Sequence, residues 1–257
     1  MALNKPIGGW EGRCVWIIGA SSGIGEATAR LLLERGAKVA VSARRAPLLQ
    51  ALCEGQPRAL PVPLDITDAA SLHQARGYIL HKGWGLDLVL VVAGGYHPMR
   101  ADGFDLEQAN LLLDLNLRGV YNCLDAVLPS LLRQGSGGLG IVASVAGYGG
   151  LPKALVYGPT KAALINLTET LYLDLARRGI GVYQINPGFV ATGLTAGNDF
   201  AMPALMSPEA AAQALVRGVE RGQFHIHFPR RFSNSLRLLR LLPYSAYFWI
   251  VRKVTGL

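Results

Sequence analysis

Cys14-Val15-Trp16-Ile17-Ile18-Gly19-Ala20-Ser21-Ser22-Gly23-Ile24-Gly25 decides the fold of this 257-residue chain. The apolar run reads as a buried strand, the glycine-rich stretch as a tight turn, and Glu26-Ala27-Thr28-Ala29-Arg30-Leu31-Leu32-Leu33 as the helix that follows. Small residues in such a turn let the backbone approach a phosphate, while the free N–H groups and positive dipole end of the new helix hold its charge. A glycine pattern alone is weak evidence, but here it stands between a strand and a helix, as a dinucleotide-binding turn requires.

Working outward, apolar runs alternate with helix-period segments almost to the end of the chain. Strands are predicted at residues 14–19, Lys38 to Ser42, Ala59 to Leu64, Leu88 to Ala93, Leu139 to Ser144, Gly181 to Ile185 and Phe224 to Phe228. Several are near-continuous Val/Ile/Leu runs, the pattern of strands covered on both faces. Helices are predicted at Ile24 to Arg35, Ala69 to Lys82, Val156 to Arg178 and Pro208 to Arg221, with Thr67 or Asp68 and Ser207 as caps. Asp105 to Gln134 is too long for one typical helix, and Gly119 within it reads as a packing position. The expected fold is α/β: a single doubly wound domain over residues 1–257, with a seven-stranded parallel sheet, a core over about 10–228 and a C-terminal extension over 229–257. Ligands in such sheets bind beyond the carboxyl ends of the strands.

Composition narrows the function classes. The three cysteines, Cys14, Cys53 and Cys123, are odd in number and lack metal-type spacing, which argues against a disulfide framework or a zinc site and for a reducing compartment. Residues 1–10 contain no apolar stretch of signal-peptide length, so a cytoplasmic location is expected. The net charge of +8 belongs to the tail: beyond Glu220 there is no acid, and Arg221, Arg230, Arg231, Arg237, Arg240, Arg252 and Lys253 follow. No nucleic-acid-binding motif accompanies these charges, and nucleic acid is not expected as a partner.

Tyr157 and Lys161 are four residues apart at the start of a predicted helix and share one face. A lysine beside a phenol favours phenolate and draws its pKa from near 10 toward a range useful for proton transfer. Spacing alone proves little, because Tyr78 and Lys82 repeat it with no serine thirteen residues earlier. Ser144, thirteen residues before Tyr157, and Asn116 on the long preceding segment set the first pair apart.

Asp65 in Leu64-Asp65-Ile66-Thr67, Ala93-Gly94, and Asn186-Pro187-Gly188-Phe189-Val190-Ala191-Thr192 complete the set. In their order and spacing these residues, with the glycine turn, resemble the short-chain dehydrogenase/reductase superfamily from residue 10 to about 228. The resemblance implies that Tyr157 is the general acid and base, that Lys161 binds the nicotinamide ribose and stabilises the phenolate, that Ser144 donates to the substrate oxygen, and that Asn116 positions a proton-relaying water. It places Gly19, Ser22, Ile24 and Gly25 on the pyrophosphate and ribose, with Ser21 and Gly23 in the same turn. Asp65 and Ile66 fall on the adenine, Val190 and Thr192 on the carboxamide, and Ala93, Gly94, Pro187 and Gly188 elsewhere along the cofactor. Two positions depart from the family pattern: Val91-Val92 stand for the usual Asn-Asn, and Ala143 for a common serine. A non-catalytic dinucleotide-binding regulator or scaffold is the alternative, which loss of a catalytic position would favour; all four are present.

At the end of the second predicted strand, Ala43-Arg44-Arg45 lacks the acid that pairs with an NAD ribose. A guanidinium there suits a 2′-phosphate, so Arg44 points to NADP(H) over NAD(H). The loops expected to line the substrate pocket carry Tyr96, Tyr148, Phe189, Leu194, Phe200 and Met206, which suggests an apolar carbonyl or alcohol, with loop packing as the competing role of these side chains. His97 is expected to be structural.

The tail is the least family-like segment. From Phe232 a helical pattern places Leu236, Leu238, Leu239, Leu241 and Leu242 on a broad arc and Ser233, Arg237 and Arg240 on a narrow one, ending at Pro243. The second run, 244–251, is too short to span a bilayer. It is expected either to pack over the substrate loop or a neighbouring subunit, or to lie on an anionic membrane surface. The resemblance implies a homodimer or homotetramer built through the long helices around Asn116 and Lys161.

Overall fold

The computed structural model describes residues 2–197 and 201–256. Its centre is a sheet of seven parallel strands: β1 (Cys14–Ile18), β2 (Lys38–Ser42), β3 (Ala59–Pro61), β4 (Leu88–Val91), β5 (Gly138–Val142), β6 (Gly181–Pro187) and β7 (His225–Phe228). The strand order is β3-β2-β1-β4-β5-β6-β7, so the chain reverses its direction of travel across the sheet between β1 and β4. Every residue of β1, β4 and β5 is buried, as the near-continuous apolar runs require for a sheet covered on both faces.

One face is covered by α1 (Gly23–Glu34), α2 (Ala46–Cys53) and α7 (Pro208–Glu220); the other by α3 (Ala69–His81), α5 (Gly119–Gln134) and α6 (Tyr157–Leu175), with α4 (Leu106–Leu113) packed in a small separate cluster beside α6. The cap of α3 is Asp68, whose carboxylate accepts from Ala70 N at 2.9 Å, and Ser207 Oγ accepts from Ala210 N at 3.2 Å to start α7. Each satisfies one of the orphan N–H groups of a first turn.

α2 was not among the predicted elements. It has only eight residues, with Pro47 in its first turn and Leu49 and Leu52 buried. Predicted strands at 59–64, 88–93 and 139–144 end two or three residues earlier in the structure, because the chain leaves the sheet there to form the loops at its carboxyl edge. The long segment from Asp105 is indeed not one regular helix: α4 and α5 are joined by a π-helical turn over Asp114–Arg118, with Asn116 buried inside it. Gly119 is a packing position, since a Cβ there would stand 3.1 Å from the Ile66 side chain.

The C-terminal extension forms α8 (Arg230–Leu239) and α9 (Tyr244–Thr255), separated at Pro243. Phe232 of α8 lies against Phe189, with ring centres 5.6 Å apart, and Tyr247 of α9 donates to Gly150 O at 2.7 Å. The tail therefore packs over two loops at the carboxyl edge of the sheet. No helix among the described residues is long and apolar enough to cross a membrane.

Candidate active site

A cleft of about 460 Å³ opens at the carboxyl edge of the sheet, across the reversal between β1 and β4. Its walls come from the segments that follow β1 to β6. Gly19, Ser21, Ser22, Gly23, Ile24, Gly25, Arg44, Asp65, Ile66, Ala93, Gly94, Ser144, Tyr157, Lys161, Pro187, Gly188, Val190 and Thr192 all line it. The structure thus brings together every predicted site residue except Asn116, which stands behind the wall.

The glycine turn is tied down by Gly19 N and Ala20 N, which both donate to Ser42 O, at 2.7 and 3.0 Å. A Cβ at Gly19 would overlap the backbone of Ala93, and one at Gly25 the carbonyl of Gly19 itself. A Cβ at Gly23 would lie 2.8 Å from Thr192 Cγ2. Only glycine lets the turn, the end of β4 and the loop after β6 converge, and α1 begins at this point with no side chain capping its first N–H groups. A shallow backbone cradle with free helical donors fits the pyrophosphate of a dinucleotide.

At Val91-Val92, where the resemblance leads one to expect two asparagines, the central strands are joined by hydrogen bonds from other groups. Val92 N and Ala93 N both donate to Ile18 O, at 2.8 and 2.9 Å, and Trp16 Nε1 donates to Ser42 Oγ at 2.9 Å. Val92 packs against the core on the α1 side.

Arg44 and Arg45 both line the far end of the cleft, but they differ in what they touch. Arg45 Nη2 donates to Ser21 Oγ at 2.9 Å and to Ser22 Oγ at 3.0 Å, which places its guanidinium over the turn. The sequence points to Arg44; Arg45, the next residue, is the one held against the turn. Asp65 is occupied locally, accepting from Thr67 N and Thr67 Oγ1 at 2.9 and 2.8 Å.

Tyr157 opens α6, and Lys161 follows one turn later, buried, with its ammonium donating to Val142 O at 3.0 Å. Loss of solvent pushes the Lys161 pKa down to about 8. Enclosure raises the Tyr157 phenol, with an opposing contribution from its hydrogen bond to Ser144 and a further upward one from Tyr96. This reverses the expectation that Lys161 draws the phenol downward: its charge sits 5.7 Å from the ring centre and is spent on a backbone carbonyl, so desolvation dominates. The look-alike pair is different in kind. Tyr78 is exposed, with Lys82 Nζ 5.3 Å from its ring centre, and neither residue lines the cleft.

Asn116 makes a reciprocal pair with Gly95, accepting from its N–H at 2.7 Å and donating to its carbonyl at 2.9 Å, and also reaches Thr160 Oγ1 at 3.3 Å. The π turn places this amide where a regular helix would not, and such turns gather at functional sites. Beside it, a Cβ at Gly94 would lie 3.2 Å from Asn116 Oδ1 and 3.3 Å from Lys161 Nζ.

The expected apolar pocket is only partly assembled. Tyr96 stands edge-on to Tyr157, 5.1 Å between ring centres, and Leu194 lines the cleft. Tyr148 turns instead to His225 Nε2 at 2.9 Å, Phe189 packs on Phe232, and Met206 joins the core. Phe200 lies outside the described residues. His97 is exposed and does not line the cleft.

Comparison with known proteins agrees with this geometry. The profile of the short chain dehydrogenase family matches residues 13–201. A protein of Myxococcus xanthus described as an oxidoreductase is 38% identical over 236 residues, covering 90% of this chain and 93% of its own length. Among solved structures, a short chain dehydrogenase from Burkholderia cenocepacia in complex with NADP superposes with a TM-score of 0.82 at 23% identity, over 98% of this chain and 99% of that one. A 3-ketoacyl-(acyl-carrier-protein) reductase from Brucella melitensis complexed with NADH gives 0.77 at 26% identity, over 86% and 98%.

Proposed function

The chain belongs to the short chain dehydrogenase family and is an oxidoreductase, and from that premise we propose that it moves a hydride between NADP(H) and an apolar carbonyl or secondary alcohol. One observation carries the reading: Ser144, Tyr157 and Lys161 face the same cleft as the Gly19–Gly25 turn. When bound, the nicotinamide supplies or takes the hydride; the protein's part is to orient the substrate and handle one proton.

Tyr157 is the proton donor in reduction. A phenol whose pKa is held high keeps its proton until negative charge develops on the substrate oxygen, and Ser144 stands within hydrogen-bonding reach of the same hydroxyl. Lys161, buried and titrating near 8, exchanges a proton close to neutral pH and holds the ribose. Asn116 fixes Gly94 and Gly95 against Lys161 through its paired bonds. NADP(H) is preferred because no acid stands at the end of β2, while Arg44 and Arg45 offer guanidinium groups to a 2′-phosphate. The chain acts as a single domain in the cytoplasm, as a homodimer or homotetramer through α5 and α6, where Tyr121 and Leu173 are exposed.

The test is an assay of the purified chain with NADPH and NADH against apolar aldehydes and ketones, and with the oxidised cofactors against secondary alcohols. Consumption of NADPH with at least one apolar carbonyl is expected. Tight NADPH binding without turnover on any of them would contradict the reading.

A further inference from the structure

The two tail helices have distinct inner and outer faces. Inward, Phe232 meets Phe189, Ser233 Oγ lies 2.6 Å from His227 Nδ1, and Tyr247 reaches Gly150. A Cβ at Gly149 would meet both Tyr247 and the Arg240 side chain, so the end of α8 and the middle of α9 seat on one loop. The exposed side chains of these helices and their connection include Leu238, Leu241, Tyr244, Phe248, Trp249 and Val254, with Leu241 79% and Trp249 62% exposed. Arg231, Arg252 and Lys253 stand exposed among them, while Arg237 and Arg240 lie on the side of α8 that carries Ser233. Cations lie over two of the aromatic rings, Arg240 5.3 Å from the centre of Tyr244 and Lys253 5.0 Å from that of Trp249.

We propose that this face docks the protein on an anionic lipid surface, with α8 and α9 lying in the plane of the headgroups. Apolar and aromatic side chains interleaved with basic ones are the composition of an interfacial segment, where rings and leucines enter the acyl boundary and cations stay with the headgroups. Charge decides among occupants. A second copy on a twofold axis would press this acid-free basic face against itself, and like charges across an interface disfavour that pairing. A phosphate backbone alone would leave the leucines and Trp249 uncovered. A bilayer rich in anionic lipid meets both needs.

The loops under the tail are those beside the cleft: Gly149 and Gly150 follow Ser144, and Phe189 precedes Val190. Docking therefore sets the substrate end of the cleft against the lipid, where an apolar carbonyl concentrates. This last consequence rests on the proposed reaction; the docking does not.

The experiment is co-sedimentation of the full-length chain with phosphatidylcholine vesicles and with vesicles containing phosphatidylglycerol, at low salt. Trp10 and Trp16 are buried and Trp84 partly so, which makes Trp249 a built-in reporter. Binding to the anionic vesicles alone is expected, with a blue shift of emission that Trp249→Ser removes. Each basic side chain near such a surface strengthens partitioning about fivefold, so Arg252→Gln with Lys253→Gln should weaken binding roughly thirtyfold. Turnover of a water-soluble carbonyl should not change, and vesicle binding is read without substrate, so failure of either reading is seen separately. A natively folded wild type that stays in the supernatant overturns docking, as does an oligomer that Trp249→Ser dissociates without any vesicle binding.

Discussion

The ammonium of Lys161 and the ring of Tyr157 stand 5.7 Å apart, and loss of solvent drives their pKa values apart, the lysine down to about 8 and the phenol up from its ordinary value. Both shifts disfavour charge. The pair is thus poised to keep a proton on the phenol and to let one leave the amine.

Tyr157→Phe should lower kcat by about 100-fold to 10,000-fold, the range for losing a positioned general acid. The ring, its contact with Tyr96 and the cleft wall remain, so NADPH affinity should stay within a few-fold. Steady-state kinetics beside a fluorescence titration with NADPH separate the two.

Lys161→Met should abolish turnover yet raise stability at neutral pH. The native state holds the lysine pKa near 8 against 10.5 in the unfolded chain, so the unfolded state binds more protons between those values and stability rises with pH there. Below about pH 8 the folded protein carries the full desolvation cost. Relief of that cost, less about 1 kcal/mol for the lost bond to Val142 O, leaves a gain of roughly 2 kcal/mol at pH 7. Urea unfolding of both proteins should show the gap closing as the pH approaches 10.5.

Arg45→Ala should reduce the ratio of kcat/KM with NADPH to that with NADH by about 10- to 100-fold, from the loss of one charge-assisted phosphate contact. Arg44→Ala should act in the same sense. An unchanged ratio in both single variants and in the double variant would remove the arginines from cofactor selection.

Two glycine substitutions should have opposite signs. Gly25→Ala drives a methyl group into the Gly19 carbonyl and should abolish dinucleotide binding while lowering the unfolding midpoint. Gly77→Ala, in the interior of α3 with open space around the new methyl group, should stabilise by up to about 1 kcal/mol. Thermal unfolding with and without NADPH reads both.

The sheet was legible because buried parallel strands are written as unbroken runs such as Leu88 to Val91, and the helices because Asp68, Ser207 and Gly36 mark their ends. α2 escaped because eight residues with a proline carry too little periodicity. The π turn escaped because one extra residue in a helix leaves the apolar spacing on either side intact. Lining residues beyond the glycine turn were readable by resemblance, but the choice between Arg44 and Arg45 depends on the path of a loop, which spacing does not encode. Nor does it encode the direction of side chains such as Tyr148 and Phe189 once the chain has left a strand.

The π turn at Asp114–Arg118 also makes the α4–α5 segment a length gauge. On one side Leu112 is locked into a small core with Met99 and Val156; on the other Gly119 is locked onto Ile66. Adding or removing one residue while the turn keeps its present winding would rotate one half against the other by about 100°. Leu112 and Gly119 could not then both keep their partners, and Asn116 would leave Gly95. Insertions and deletions that surface loops absorb freely are excluded here, so in this stretch the number of residues is under as tight a constraint as their identity.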